Sequence, residues 1–347
     1  MYRFVRSSLM KKRRSIPAIF FFTVLFLFFH VIAVSRDKSD EVFPELWVGS
    51  AEVSSIRVGI FVQVGNWDLW DELASSCIDN VFHATHVQFL IVSSHEGNHE
   101  NLVRERYPTA ETVIVPNFGA DVAAFFLQLT SVGRRIKDAE YILKIHTKTR
   151  DWWRRGMLEP ICGETVTVQR AITSLKQSPR VGVLGALDYT FFVDGNDENI
   201  ISQRLAKQYD FDTSFYKWYD AIPLSVKYDP KIYRQWPANV DLRDLSSNAL
   251  EAHYRSLGRK ERRVFNIDVV TYLKATSYPR FIAGTCAWFR VAPLADFLSH
   301  HAPEEIAQSL LFEVGYFTDA DNDRLTHGWE RVLSLVMYAR GYSTVGI

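Results

Sequence analysis

The clearest chemical signal in the sequence lies at residues 144 to 150, where an apolar run passes into cationic side chains. Lys144, His146 and Lys148 alternate in LKIHTKTR, so they share one face if the segment is a β-strand. Three cations on one face repel one another unless an anion or an acidic partner lies among them. Ammonium and imidazolium groups can neutralise the charge that develops on a departing phosphate. The pattern predicts an anion site centred on His146 and Lys148, with Lys144 or Arg150 assisting.

Two other interpretations of this stretch stay open. The cations can form a solvated strand end that pairs with nearby carboxylates, and Asp138, Glu140 and Asp151 are close in sequence. A neutral His146 can also be a single ligand of a divalent metal, although ammonium groups repel such an ion. We therefore expect no dedicated metal site and no cofactor, and we keep a divalent metal as the alternative.

Glu330 is the candidate general base. It lies near the start of a predicted amphipathic helix at residues 328 to 340, GWERVLSLVMYAR. A carboxylate in the first turn of a helix that faces a sheet crevice could take a proton from a hydroxyl group. The alternative is that it only complements the helix dipole. His327 and Arg331 flank it and are candidates for positioning or for phosphate contacts.

Strand and helix patterns alternate along the part of the chain that must position these residues. Strands are predicted at residues 57–64, 86–93, 112–115, 140–145 and 180–187, and helices at 68–80, 121–130, 163–178 and 328–340. This order predicts an α/β fold, a mostly parallel Rossmann-type sheet flanked by helices. Ligands of such sheets bind beyond the carboxyl ends of the strands, where residues 144 to 148 lie. Residues 188–263 are predicted to be a loop-rich insertion, and residues 281–290 a strand interrupted by glycine.

The N-terminal segment is predicted to lie outside this fold. A basic cluster at residues 11–14 precedes an uncharged run at residues 16–34, which is long enough to span a bilayer as a helix. The positive-inside rule predicts a cytosolic tail at residues 1–15, and places a stem at residues 35–55 and a domain at residues 56–347 across the membrane. A cleaved signal peptide is the alternative.

The composition restricts the partners of the protein. Its 347 residues include 40 Lys+Arg and 40 Asp+Glu, so bulk attraction to nucleic acid is not expected. The three cysteines, Cys77, Cys162 and Cys286, form no CxxC pair, which disfavours a zinc site. They allow one disulfide and one free thiol or three buried thiols, and the sequence does not choose between these states.

Several motifs give the chain a resemblance to a known family. Its order of elements resembles the GT-A nucleotide-sugar glycosyltransferase fold, in which the strand at the position of LKIHTK normally ends in Asp-x-Asp. More narrowly, the chain resembles the rhamnan synthesis protein F family in PNFGADVAAFF, YILKIHTKTRDWWRRGMLEPI and FIAGTCAWFRVAPL. The similarity covers most of residues 56 to 345. One departure is Ala120, where the family usually has a basic residue.

The resemblance implies sugar transfer onto a glycan, Glu330 as the base implies inversion, and the predicted anchor places the catalytic domain in the Golgi or endoplasmic reticulum lumen. The expected protein is therefore an inverting, membrane-anchored glycosyltransferase. It would move a sugar, with rhamnose as one candidate, from a nucleotide-sugar donor to a glycan acceptor. The catalytic candidates are then Glu330, His146 and Lys148. The donor-binding candidates are Asn117, Gly119, Asp121, Lys144, Arg150, His327 and Arg331, and the acceptor or sugar contacts are Gly284, Thr285, Trp153 and Trp288. The alternative function is a non-catalytic carbohydrate-binding protein on the same fold.

Overall fold

The computed structural model describes residues 53–117, 119–193, 198–214, 228–235, 245–255, 278–310 and 325–347. These residues belong to one compact unit, Val48–Ile347. The predicted tail and anchor and most of the predicted stem lie outside the described residues. Within the described ranges, no helix has the length and apolar character needed to span a bilayer.

A mostly parallel sheet forms the centre of the molecule. Its seven strands have the order β3-β2-β1-β4-β8-β5-β9. They are β1 (Arg57–Val64), β2 (His86–Ser94), β3 (Glu111–Ile114), β4 (Tyr141–His146), β5 (Val181–Gly185), β8 (Ala287–Arg290) and β9 (Ser343–Gly346). Only β8 runs antiparallel to its two neighbours, β4 and β5. The sheet and its flanking helices confirm the prediction of a mixed α/β, Rossmann-like fold.

Residues 281–290 form two strands rather than one interrupted strand. The chain turns between β7 (Arg280–Ile282) and β8, because Gly284 and Thr285 both have positive φ angles, 76° and 58°. β7 pairs with β6 (Thr190–Phe192) in a separate two-stranded sheet. This turn brings residues 284 to 286 against the carboxyl end of β4.

Helices cover both faces of the sheet. They are α1 (Trp70–Leu73), α2 (Asp79–Ala84), α3 (Glu100–Arg106), α4 (Ala120–Val132), α5 (Asp151–Cys162), α6 (Thr165–Gln177), α7 (Glu198–Gln208), α8 (Pro230–Gln235), α9 (Ser247–His253), α10 (Val291–Leu298), α11 (Pro303–Ser309) and α12 (Leu325–Tyr338). A π-helical turn, Ala74–Ile78, joins α1 to α2. The sequence patterns did not predict α5. Part of the predicted insertion is described, and it contains α7, α8, α9 and β6.

The central strands are buried on both faces, as expected for parallel strands between helices. In β1, Phe61 packs into a core with Phe125 of α4 and Trp329 of α12. Ile60 and Val62 point to the other face, into a second core that includes residues of α1, α5 and α6. The sheet therefore presents its carboxyl edge between two layers of helices.

The strand order reverses between β1 and β4, which is where such sheets open a crevice for ligands. Thr147 holds the carboxyl ends of these two strands together. Its Oγ1 atom accepts hydrogen bonds from the backbone N–H groups of Gly65, at 2.8 Å, and Asn66, at 3.1 Å. The predicted anion site therefore lies at the switch point of the sheet.

One disulfide joins Cys77, in the π-helical turn, to Cys162, the last residue of α5. Cys286 is a free, buried thiol. The structure thus selects one of the pairings that the sequence left open.

Candidate active site

Lys144 lies at the base of a buried polar cluster beyond β4. Its Nζ atom is 2.5 Å from Oδ2 of Asp121 and 2.5 Å from Oγ1 of Thr285, and the Thr285 hydroxyl donates in turn to Asp121. Lys144 is only 2% exposed. Its charge is therefore balanced inside the protein. This corrects the prediction that Lys144 contacts a ligand, because its ammonium group is enclosed by the carboxylate and the hydroxyl.

Asp121 occupies the first turn of α4 and remains an anion. Burial alone would raise the pKa of this carboxyl, but the charges of Lys144, His146 and Lys148 bring the pKa well below its usual range. Its side chain is 14% exposed. The partner of the basic strand end is thus Asp121, not the acidic residues that are close in sequence.

His146 is held from both sides by backbone carbonyl groups. Its Nε2 atom is 2.7 Å from the Gly284 oxygen, and Nδ1 is 3.2 Å from the Thr147 oxygen. Carbonyl oxygens only accept, so both ring nitrogens donate only if the imidazole is protonated. Burial opposes that state, but Cys286 and Asp121 raise the pKa of His146.

The two carbonyl contacts and the raised pKa both favour the protonated form of His146, and neither ring nitrogen is left as a free N–H group. His146 is 3% exposed, and both ring nitrogens already face protein oxygens. The predicted leaving-group stabilisation by His146 stays a prediction, and from this buried position it would act through charge rather than through direct contact. The neighbouring Cys286 thiol responds to the same charge: burial would raise its pKa, but His146 and Lys144 lower it.

Lys148 is the more accessible cation of the strand end. It is half-buried, and its Nζ atom lies 5.4 Å from the ring centroid of Trp153. Its charge helps to lower the pKa values of both Asp121 and Glu330, which places it among these carboxylates. Arg150 is exposed at the N-cap of α5. Lys148 thus lies on the more accessible side of the cluster, and its predicted leaving-group role stays a prediction.

Glu330 faces this cluster from α12. Its Oε1 atom accepts a hydrogen bond from the backbone N–H of Gly284 at 2.8 Å, and its side chain is 18% exposed. Burial raises the pKa of Glu330, an effect that His327 partly opposes. A partly accessible carboxylate with a raised pKa suits a general base near neutral pH.

The position of Glu330 in its helix differs from the prediction. Because α12 begins at Leu325 rather than at residue 328, Glu330 lies in the second turn. A role in complementing the helix N-terminus is weaker there, since that effect falls off beyond the first turn. Gly328 is tolerated inside the helix because α7 packs closely, and a Cβ at Gly328 would lie 2.7 Å from Ile201.

Gly284 connects the two sides of the site. Its N–H binds Glu330 and its carbonyl binds His146. A Cβ at Gly284 would lie 2.6 Å from the sulfur of Met157 and 3.4 Å from Nε1 of Trp153, so only glycine fits. The predicted sugar contact by Thr285 needs correction, because Thr285 is 2% exposed and its hydroxyl bonds Asp121.

His327 and Arg331 form an inner support for Glu330. The Arg331 guanidinium donates to the His327 carbonyl at 2.8 Å and lies 4.4 Å from the ring centroid of Phe281. It is 3.7 Å from Oε2 of Glu330, and the residue is 5% exposed. Arg331 therefore packs inward, which favours positioning over phosphate contact among its two predicted roles, and His327 is half-buried.

Gly119, in the described part of the PNFGAD turn, packs closely against protein, and the donor contacts predicted for Asn117 and Gly119 stay a prediction. Gly119 is buried with a φ of 59°, and a Cβ there would lie 2.6 Å from Ala123 and 2.8 Å from Leu310. The close approach to Ala123 and to Leu310, at the C-terminal end of α11, requires glycine at this position. Asn117 is exposed.

The predicted tryptophan contacts differ from each other. Trp288 is fully buried in β8 and donates from Nε1 to the Ile161 carbonyl at 3.1 Å. We remove it from the sugar contacts, because its ring faces are covered by the core. Trp153 is half-buried and lies beside Gly284.

Sequence reasoning missed Arg154 and Glu72. Arg154 is 5% exposed; its Nη2 atom lies 2.8 Å from both Glu72 and Asp151, and Nη1 donates to the Lys148 carbonyl at 2.7 Å. Arg154 therefore fixes the loop that carries Lys148. Asp151 and Arg154 are three residues apart, so they share one face if a helix begins at Asp151. That pairing is the sequence signal that could have identified Arg154.

The described residues contain no group of three or more His, Cys, Asp or Glu side chains arranged to hold a metal ion. A scan against models of known protein families finds no match for this chain, and a search of curated proteins finds no similar protein either. The resemblance to the rhamnan synthesis protein F family therefore stays a prediction from the motifs.

Proposed function

We propose that the chain is an inverting glycosyltransferase of GT-A type that moves a sugar from a nucleotide-sugar donor to a glycan acceptor. Rhamnose remains a candidate sugar. The observation that carries this proposal is the pairing of Glu330, a carboxylate with a raised pKa, with cationic residues at the switch point of a Rossmann-like sheet. A direct displacement requires a base that deprotonates the acceptor hydroxyl and a positive charge that stabilises the departing diphosphate.

The residues divide the reaction between them. Glu330 takes the proton of an acceptor hydroxyl, whose oxygen then attacks the anomeric carbon of the donor sugar. The bond from that carbon to the diphosphate oxygen breaks, and the diphosphate leaves with the electron pair. Lys148 meets the new negative charge directly, while the buried charge of His146 stabilises it from behind.

We propose that this stabilisation needs no divalent metal. Where GT-A enzymes normally have Asp-x-Asp, this chain has Lys144, His146 and Lys148, and the charges of His146 and Lys148 disfavour a second cation nearby. Turnover should persist in excess EDTA. Loss of turnover in EDTA that manganese restores would contradict metal independence, without contradicting sugar transfer.

The Golgi or endoplasmic reticulum lumen is the compartment we propose. The basic cluster and apolar run before residue 35 support a signal anchor. The Cys77–Cys162 disulfide adds independent support, because such bonds persist in oxidising compartments and are rare in the cytosol.

The Glu330→Gln variant tests the catalytic proposal. Replacing the base should lower sugar transfer and donor hydrolysis by about 10²- to 10⁴-fold while nucleotide-sugar binding persists. Activity is measured on the full chain in detergent, and binding by the rise in melting temperature with ligand. Glu159→Gln, an exposed change on α5, is the matched control. Equal activity of the Glu330→Gln variant and the wild type would refute the assignment.

A non-catalytic carbohydrate-binding protein is the second candidate. The observations that favour it are the exposure of Trp152, which is 64% exposed, and the burial of Lys144 and His146. Carbohydrate binding without turnover of any tested donor, unchanged in the Glu330→Gln variant, would support this function.

A further inference from the structure

A row of aromatic rings leads from the candidate active site to the protein surface. Trp152 and Trp153 have ring centroids 5.4 Å apart, and Trp153 and Tyr189 have centroids 5.7 Å apart. We call these three residues the aromatic strip. Trp152 is 64% exposed, whereas Trp153 and Tyr189 are half-buried. The strip thus offers partly accessible ring surface at the entrance of the site.

The strip is continuous with the reacting groups. Trp153 lies beside Gly284, the residue whose N–H binds Glu330. Lys148 places its Nζ atom 5.4 Å from the Trp153 ring centroid. A ligand that lies on the strip would therefore have Lys148 and the turn at Gly284 next to its inner end.

The strip is also held rigidly. Helix α5, which carries both tryptophans, is anchored at its beginning by the Arg154–Glu72 ion pair and at its end by the Cys77–Cys162 disulfide. Tyr189 packs against the same helix, since a Cβ at Gly156 would lie 2.8 Å from the Tyr189 hydroxyl. A surface fixed in this way loses little side-chain entropy when a ligand binds.

An exposed tryptophan at such a place indicates a ligand. Tryptophan is highly buried on average, because its large ring contributes most when it is removed from water. Trp152 leaves most of its ring in water, although the helix that carries it is held at both ends. Asp151 and Arg155, which form an ion pair at 3.1 Å, add polar groups next to it. Flat apolar rings bordered by polar groups match a pyranose, which has apolar C–H faces and hydroxyl groups around its rim.

We propose that the aromatic strip binds the acceptor glycan, as an oligosaccharide whose sugars beyond the reacting one stack on Trp152 and Trp153. The role as an acceptor site rests on the proposed function, whereas the binding itself does not. The strip is the acceptor side rather than the donor side because a diphosphate requires cations, whereas the strip presents aromatic faces, with Lys148 at its inner end and Arg155 paired to Asp151. The acceptor is therefore a chain of sugars rather than a monosaccharide.

The test compares binding of neutral oligosaccharides of two to six sugars with binding of UDP, GDP and dTDP to the full chain in detergent. The variants are Trp152→Ala, Trp152→Phe, which retains an aromatic ring, and Ile114→Ala, an exposed apolar control on the edge strand β3. Trp152→Ala should weaken binding of the longer oligosaccharides about tenfold, as expected for the loss of one stacked ring. The phenylalanine variant and the control should bind nearly as the wild type, and nucleotide affinity should be unchanged in all of them.

The outcomes separate this proposal from the proposed function. Weaker oligosaccharide binding by the Trp152→Ala variant supports the strip, even if Glu330→Gln has no effect on turnover and the enzyme assignment fails. Weaker nucleotide binding would mean that a nucleobase occupies the strip and would overturn the proposal. It is also overturned if the wild type binds no oligosaccharide, or if Trp152→Ala binds them as the wild type does.

Discussion

Charge in the candidate site is divided between a buried layer and an accessible layer. Lys144 and Asp121 neutralise each other in the interior, and the His146 ring lies buried against the Gly284 carbonyl. Glu330 and Lys148 lie nearer the surface. The buried groups set the electric field of the site and hold the turn at Gly284. The accessible groups can contact a substrate.

The raised pKa of Glu330 predicts the pH dependence of activity. A base works only when it is deprotonated, so kcat/KM should fall as the pH is lowered through this pKa. Because burial raises the pKa, the fall should begin at a higher pH than for an ordinary glutamate, whose pKa is about 4.3. A pH–rate profile measures this, and an acidic limb centred at or below the ordinary value would contradict it.

Substitutions of Gly284 and Gly133 can separate the effect of a steric clash at the site from the effect of backbone strain at a positive φ angle. Gly284→Ala should lower the free energy of unfolding by about 1–3 kcal/mol and reduce activity, because the new Cβ would meet Met157 and shift the N–H that holds Glu330. Gly133→Ala is the matched control. Gly133 also has a positive φ, 51°, but a Cβ there meets nothing within 4 Å.

Urea unfolding and turnover measure the two effects of these variants. The control should show the cost of the strained backbone without the loss of activity. Equal loss of activity in both variants would mean that Gly284 does not position the base.

At the level of elements, most strands and helices could be predicted because their apolar periodicity is strong. The strand at residues 57–64 matches β1, and the helix at residues 121–130 lies within α4. Helix α5 was missed because its sequence, DWWRRGMLEPIC, begins with charged and aromatic residues and contains Pro160. What stabilises this helix lies elsewhere in the chain, at Glu72 and Cys77, and no local pattern reports such contacts.

The disulfide gives a prediction for α5. The cysteines are 85 residues apart, so the double variant Cys77→Ala, Cys162→Ala should lose about 2–5 kcal/mol of unfolding free energy, mainly because its unfolded chain is less restricted. Chemical denaturation of the oxidised protein and the variant measures the difference. Cys286→Ala serves as the control for removing a buried cysteine without a bond. A stability equal to that of the wild type would contradict the bond.

At the level of the whole molecule, the candidate site is assembled from distant parts of the chain. Asp121, Lys144, Gly284 and Glu330 come from α4, β4, the turn before β8 and α12. The residue types could be chosen from the sequence, since charged residues at a strand end stand out. Their division into buried and accessible groups could not, because it depends on β8 entering the sheet in the antiparallel direction beside β4.

The position of Cys286 has a practical consequence. With Cys77 and Cys162 joined, Cys286 is the one free thiol among the three cysteines of the chain, and it is 0% exposed in the core that includes residues of α5 and α6. An alkylating reagent can therefore modify the folded protein only when the middle of the sheet opens. The rate of labelling therefore measures how often that opening occurs. A ligand that binds the folded form should slow the labelling, so its binding can be detected without an engineered probe.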